Sequence, residues 1–127
     1  MHGHREIMDR FQVLTRDLEA IMIQLPIQSL SALPPSHDVR HLVRQILYLA
    51  VEASDRPHTP LVMSQAIVKK LYNTPSQLGR EVYVALLEQL CHSFEEVAKE
   101  ATEWFMYAND EVCPPKITTD LLNIISE

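Results

Sequence analysis

Apolar residues recur at three- and four-residue steps along most of this chain. Ile7, Phe11, Leu14, Leu18, Ile21, Met22 and Leu25 form one stripe. That spacing predicts a first helix from about Arg5 to Leu25, closed by Pro26. SLSALPP (29–35) then reads as a connector with at most one short turn. A second helix, from about Ser36 to Ala53, carries Val39, Leu42, Val43, Ile46, Leu47 and Ala50 on one face. Leu49 and Val51 widen that face, which predicts a deeply buried end.

Thr59-Pro60 is a helix start, with a capping hydroxyl followed by a proline at the first helical position. The third helix reaches about Tyr72. Thr74-Pro75-Ser76-Gln77 repeats the signal, and Gln77 is placed to complete a capping box. The fourth helix runs to about His92. Its segment VYVALL (82–87) is apolar nearly all round, while Gln77, Glu81, Glu88 and His92 make one narrow polar stripe. It is the expected central helix, with Val82 and Leu86 in the structural core. Ser93-Phe94-Glu95-Glu96 is a further capping box, so a fifth helix starts at once and reaches about Ala108. Phe94, Val97, Ala98, Ala101, Trp104, Phe105 and Ala108 share one of its faces, which assigns Trp104 and Phe105 to the core. Thr118 or Thr119 caps a sixth helix, through Ile125.

No alternating strand pattern competes with these helices. Helices joined by short connectors imply an all-α fold of stacked antiparallel hairpins, HEAT-repeat-like and right-handed. The spacing is too irregular to demonstrate a sequence repeat. Residues 5–127 are expected to form a single helical-repeat domain, one that could sit within a longer array. MHGH (1–4) reads as a tag remnant or a frayed start.

Composition then removes function classes. With 127 residues and 46% hydrophobic content, the chain can build a real core. Its two glycines, Gly3 and Gly79, cannot make a phosphate-cradling loop, and no GxSxG elbow is present. The formal net charge is −6, with Lys69-Lys70 the only tight basic pair, so direct nucleic-acid binding is disfavoured. No apolar run approaches the roughly 20 residues of a membrane span. MHGHREIMDRF has no apolar core and does not resemble a signal peptide. Cys91 and Cys113 have neither CxxC spacing nor a disulfide framework, which points to a reducing, intracellular setting.

The chemistry-bearing residues have plain structural readings. His37 and His41, in HDVRH, lie four apart on a helix and could share a metal, but no third ligand is nearby. Cys91 falls with Val84 and Leu87, as a small buried apolar thiol would. Cys113 precedes a proline pair in a turn and could be a reactive thiol, with no base assignable to it from the sequence. Glu95, Glu96, Glu100 and Glu103 lie on the outer side of helix five, with Lys99 placed to pair with Glu95 or Glu103. The segment WFMYANDEVCPP (104–115) reads as a helix end followed by a turn. Tyr107 flanks the apolar face there, Asn109 can end the helix, and an exposed aromatic docking patch is the rival reading.

LCHSFEEVAKEATEWFMYANDE (90–111), followed by a proline and by TTDLLNII (118–125), resembles a segment of the large scaffold subunit of the Ccr–Not deadenylase complex. The matching positions are Val97, Ala98, Lys99, Glu100, Trp104, Tyr107, Asp110 and Glu111. With a small gap they continue through Pro115, Thr118, Leu121 and Leu122. The sequence departs from the family at Val112-Cys113-Pro114-Pro115-Lys116-Ile117, where a basic loop is usual. The resemblance implies a connector-region helical domain similar to the middle domain of initiation factor 4G. It implies a non-catalytic scaffold for mRNA deadenylation, mRNA decay and translational repression, in the cytoplasm and also the nucleus. Partners would be protein subunits or regulators of the deadenylase complex. Tyr107, Asp110 and Glu111 are the protein-docking candidates. No catalytic residue, metal ligand or cofactor is expected, no membrane contact, and a monomer in isolation. The rivals are a small metal-dependent enzyme centred on His37 and His41, and a helical RNA-binding repeat.

Overall fold

The computed structural model describes residues 3–27, 29–56 and 58–106, without the side chains of 102 and 104–106. Five helices run in order: α1 (His4–Met22), α2 (Asp38–Glu52), α3 (His58–Asn73), α4 (Gln77–Ser93) and α5 (Glu95–Met106). A single 3-10 turn, Leu30–Ala32, interrupts the first connector. No strand occurs among the described residues. The expected sixth helix and Ala108 lie outside them.

Sequential helices pack as antiparallel neighbours, α1 on α2, α3 on α4 and α4 on α5. Alternate helices also touch, α1 with α3, α2 with α4 and α3 with α5. Odd helices therefore form one layer and even helices the other, which is the arrangement of an ARM/HEAT-like stack. Helix α4 touches every other helix and the 3-10 turn. Its Leu78, Val82, Tyr83, Leu86, Leu87, Leu90 and Cys91 are buried, against Phe11 and Leu18 of α1, Ile46 of α2 and Ile67 of α3 in one core.

Several boundaries differ from the sequence expectation, each for a local reason. Helix α1 ends at Met22, not Leu25. Leu25 precedes a proline and is biased away from helical backbone. The last turn tightens into i→i+3 bonds, Gln24 N–H to Ile21 O at 3.2 Å and Leu25 N–H to Met22 O at 3.2 Å. Helix α2 starts after His37, whose ring Nδ1 accepts the Val39 N–H at 3.1 Å and does a capping hydroxyl's work. Helix α3 begins at His58, so Thr59 is not its cap. Thr59 is buried, with Oγ1 2.8 Å from Nδ1 of His4.

Thr74 is not the cap of α4 either. Its Oγ1 donates to Lys70 O and closes α3, which moves the cap two residues on. Ser76 Oγ takes that role, accepting the Gly79 N–H at 3.0 Å. Ser93, expected as a cap, is the last residue of α4. Phe94 alone separates α4 from α5, and its carbonyl accepts the N–H groups of Val97 and Ala98. Val51 reverses the expectation of a wholly buried end to α2: Leu49 is 2% exposed and Val51 58%.

Candidate docking groove

The residues singled out for chemistry do not converge. His37 Nδ1 is occupied as a helix cap, and His41 Nδ1 lies 3.3 Å from Nη1 of Arg44. No group of three or more His, Cys, Asp or Glu able to hold a metal occurs among the described residues. The Cys91 thiol is buried, and burial together with the Glu88 charge pushes its pKa up to about 11. It stays protonated near neutral pH, the opposite of an activated nucleophile. Glu95, Glu96, Glu100 and Glu103 are exposed, and Lys99 pairs with Glu95 at 3.4 Å. Val82 and Leu86 are wholly buried. Trp104 and Phe105 lie on α5, and their side chains fall outside the described atoms, as do Tyr107, Asp110 and Glu111 altogether.

Three arginines are committed to backbone carbonyls. Arg40 donates to Leu33 O at 3.0 Å and Leu30 O at 2.8 Å. Arg44 donates to Pro35 O at 2.7 Å. Arg80 donates to Pro75 O at 2.9 Å and Thr74 O at 3.2 Å. Each fastens a proline-containing connector to the following helix. These three guanidiniums are used in holding connectors, where a planar fork can reach a carbonyl oxygen.

The feature that does converge is a groove along the outer side of the α1–α2 hairpin. Two adjoining hollows of about 850 and 440 Å³ share Gln45. On α1, Ile7, Phe11, Leu18 and Met22 turn into the core, leaving Asp9, Val13, Asp17 and Ala20 as one wall. On α2, Asp38, His41, Gln45, Tyr48 and Glu52 make the other wall. Both sets step by three or four residues, so each follows one side of its helix. Leu14, Leu42 and Leu49 lie between them. Val13, Tyr48 and Val51 are 53%, 69% and 58% exposed, and all three line this groove. Among the described residues the remaining large exposed apolar side chain is Ile23.

Carboxylates rim the apolar strip. Arg10 Nη1 meets Glu52 Oε2 at 2.9 Å and closes one end. Asp9 and Asp17 have no cationic partner among the described residues. Asp38 sits in the first turn of α2, where the helix dipole favours a negative charge. Four carboxylates thus face one guanidinium. The groove's ionisable side chains are spread along both walls, and no group of three or more His, Cys, Asp or Glu able to hold a metal occurs among the described residues. The groove can hold apolar side chains flanked by positive charge.

Sequence reasoning did not single out Val13 or Tyr48. A signal for Val51 was available, because residues two apart on a helix point to nearly opposite sides and cannot both face the core.

A family model described as "Cnot1 ARM repeat" matches residues 17–123. A Saccharomyces cerevisiae protein, "General negative regulator of transcription subunit 1", is 32% identical over 83 residues. That alignment covers 65% of this chain and 4% of the yeast protein. No solved structure matches.

Proposed function

This chain belongs to the Cnot1 ARM repeat family, and from that premise we propose that it is a non-catalytic protein-docking module of the Ccr–Not scaffold. Its part is to hold protein subunits or regulators of the deadenylase complex, and so to support mRNA deadenylation, mRNA decay and translational repression. The observation that carries this reading is the outward-facing strip of Val13, Tyr48 and Val51 between α1 and α2. Apolar side chains kept in water along one groove fit a surface that another chain covers.

The finer proposal is a connector-region domain similar to the middle domain of initiation factor 4G, working in the cytoplasm and nucleus. It would be monomeric alone and need no cofactor, nucleic acid or membrane. No helix among the described residues is long and apolar enough to cross a membrane. Residues 5–127 would act as one unit, within a longer array where one exists. Tyr107, Asp110 and Glu111 remain a second proposed docking point, outside the described residues.

The test is affinity purification of the tagged protein from its own cells, read by quantitative mass spectrometry. Ccr–Not subunits should be enriched over an untagged control. Their absence from the enriched set overturns the proposal.

A further inference from the structure

We infer that the α1–α2 groove is shaped and charged to receive a basic amphipathic α-helix of a partner protein. This rests on the docking reading above and names the occupant. Size is the first argument. The α2 wall spans Asp38 to Glu52, which at about 1.5 Å per residue is ~21 Å of groove, enough for about four turns of a partner helix. A third helix laid between two antiparallel helices packs its apolar side chains into the strip that Val13, Tyr48 and Val51 leave open.

Charge is the second argument. Asp9 and Asp17 stand on the α1 wall, and Asp38 and Glu52 at the two ends of the α2 wall. Arg10 is the one guanidinium lining it, and Glu52 holds it at 2.9 Å. A helix with an apolar stripe and Lys or Arg on both flanks would meet carboxylates on either side. A helix with acidic flanks would meet like charge along both walls. Nucleic acid and anionic lipid surfaces are disfavoured by the same carboxylates. A second copy of this chain is a poor fit, since α1 and α2 would bring an equally acidic rim to the contact.

The experiment uses the 127-residue chain and two fluorescent 16-residue peptides. Both carry Leu at helical positions 2, 5, 9 and 12 of the design; one has Lys and Arg on its flanks, the other Glu. Anisotropy titrations should give binding of the basic peptide about tenfold or more tighter than the acidic one. The difference should shrink between low and high salt. Asp17→Arg should reduce the preference for the basic peptide about tenfold. Tyr48→Arg should abolish binding, with the circular dichroism spectrum and melt unchanged.

Equal affinity for both peptides overturns the inference. So does binding that neither Asp17→Arg nor Tyr48→Arg alters, or no binding of the basic peptide. A concentration-dependent dimer removed by Tyr48→Arg would assign the groove to a second copy and overturn it too. The docking reading fails separately. If Tyr48→Arg strips Ccr–Not subunits from the purified protein while the basic peptide does not bind, the docking reading stands and the basic helix falls. If the peptide binds but no subunit is recovered, the groove chemistry stands and the Ccr–Not assignment falls.

Discussion

The hydroxyl of Tyr83, on α4, donates to Oε1 of Glu19, on α1, at 2.5 Å across 64 residues of sequence. Tyr83 is wholly buried, and Lys70 of α3 reaches the same carboxylate oxygen at 3.3 Å. One polar contact thus joins three helices of the stack. The asymmetry of buried hydrogen bonds predicts that Glu19→Ala, which strands the phenol, costs about 1–3 kcal/mol, and that Tyr83→Phe costs less. The double variant should lose less than the sum of the two. Urea unfolding of all four proteins checks this, and strict additivity would mean the contact contributes nothing.

Alkaline pH should loosen the fold. The Cys91 thiol titrates near 9 when free and is raised to about 11 by burial first and the Glu88 charge second. Between those values the unfolded chain gives up the proton and the folded chain keeps it, so stability falls as pH rises. The contribution is complete below pH 9 and lost as pH passes about 11. Tyr83 acts in the same direction above pH 10, because burial and then Glu19 raise its pKa. Thermal midpoints should drop from pH 8 to pH 10.5, less steeply in Cys91→Ala. In a Cys113→Ala background, Cys91 should react with a maleimide only after denaturant is added. A midpoint that holds steady or rises to pH 10.5 would contradict this account.

Gly79 has an ordinary helical backbone and is needed for space. A Cβ there would crowd Cγ2 of Thr74 and lie 2.9 Å from Oγ of Ser76, the capping oxygen. Thr74 cannot easily yield, since its hydroxyl holds Lys70 O. Alanine would gain about 1 kcal/mol of helix propensity. Crowding and loss of the cap should outweigh that, leaving Gly79→Ala about 1 kcal/mol less stable. A stabilised variant in a thermal melt would show that Thr74 and Ser76 can shift freely.

The core and the groove should separate cleanly by mutation. Leu86 is wholly buried, and Leu86→Ala should cost about 2–5 kcal/mol. Val13 and Tyr48 touch water, so Val13→Ser and Tyr48→Ser should stay within about 0.5 kcal/mol of wild type. Chemical denaturation distinguishes them. A large loss from either groove variant would make that side chain a structural one.

What was legible in the sequence follows the strength of periodicity. The run from Val82 to Leu87 has too few polar positions to sit anywhere but the centre, and α4 sits there. The hairpin order follows from prolines and short connectors. The caps were less legible because each connector offers several hydroxyls, and the choice depends on three-dimensional competition. Thr74 is taken by Lys70 O, so Ser76 caps α4. His37 caps α2 with an imidazole, a residue type outside the usual cap set. The groove was missed because Val13, Tyr48 and Val51 are each unremarkable in sequence. They become a surface only when α1 and α2 lie side by side.

Recovery of Ccr–Not subunits with the Tyr48→Asp variant, measured by quantitative mass spectrometry against wild type, tests docking through the α1–α2 groove most directly. The account predicts a thermal midpoint close to wild type and a recovery lowered about tenfold or more, as expected when a central docking aromatic is lost. Undiminished recovery with an unshifted melt would contradict it and move the docking surface elsewhere on the stack.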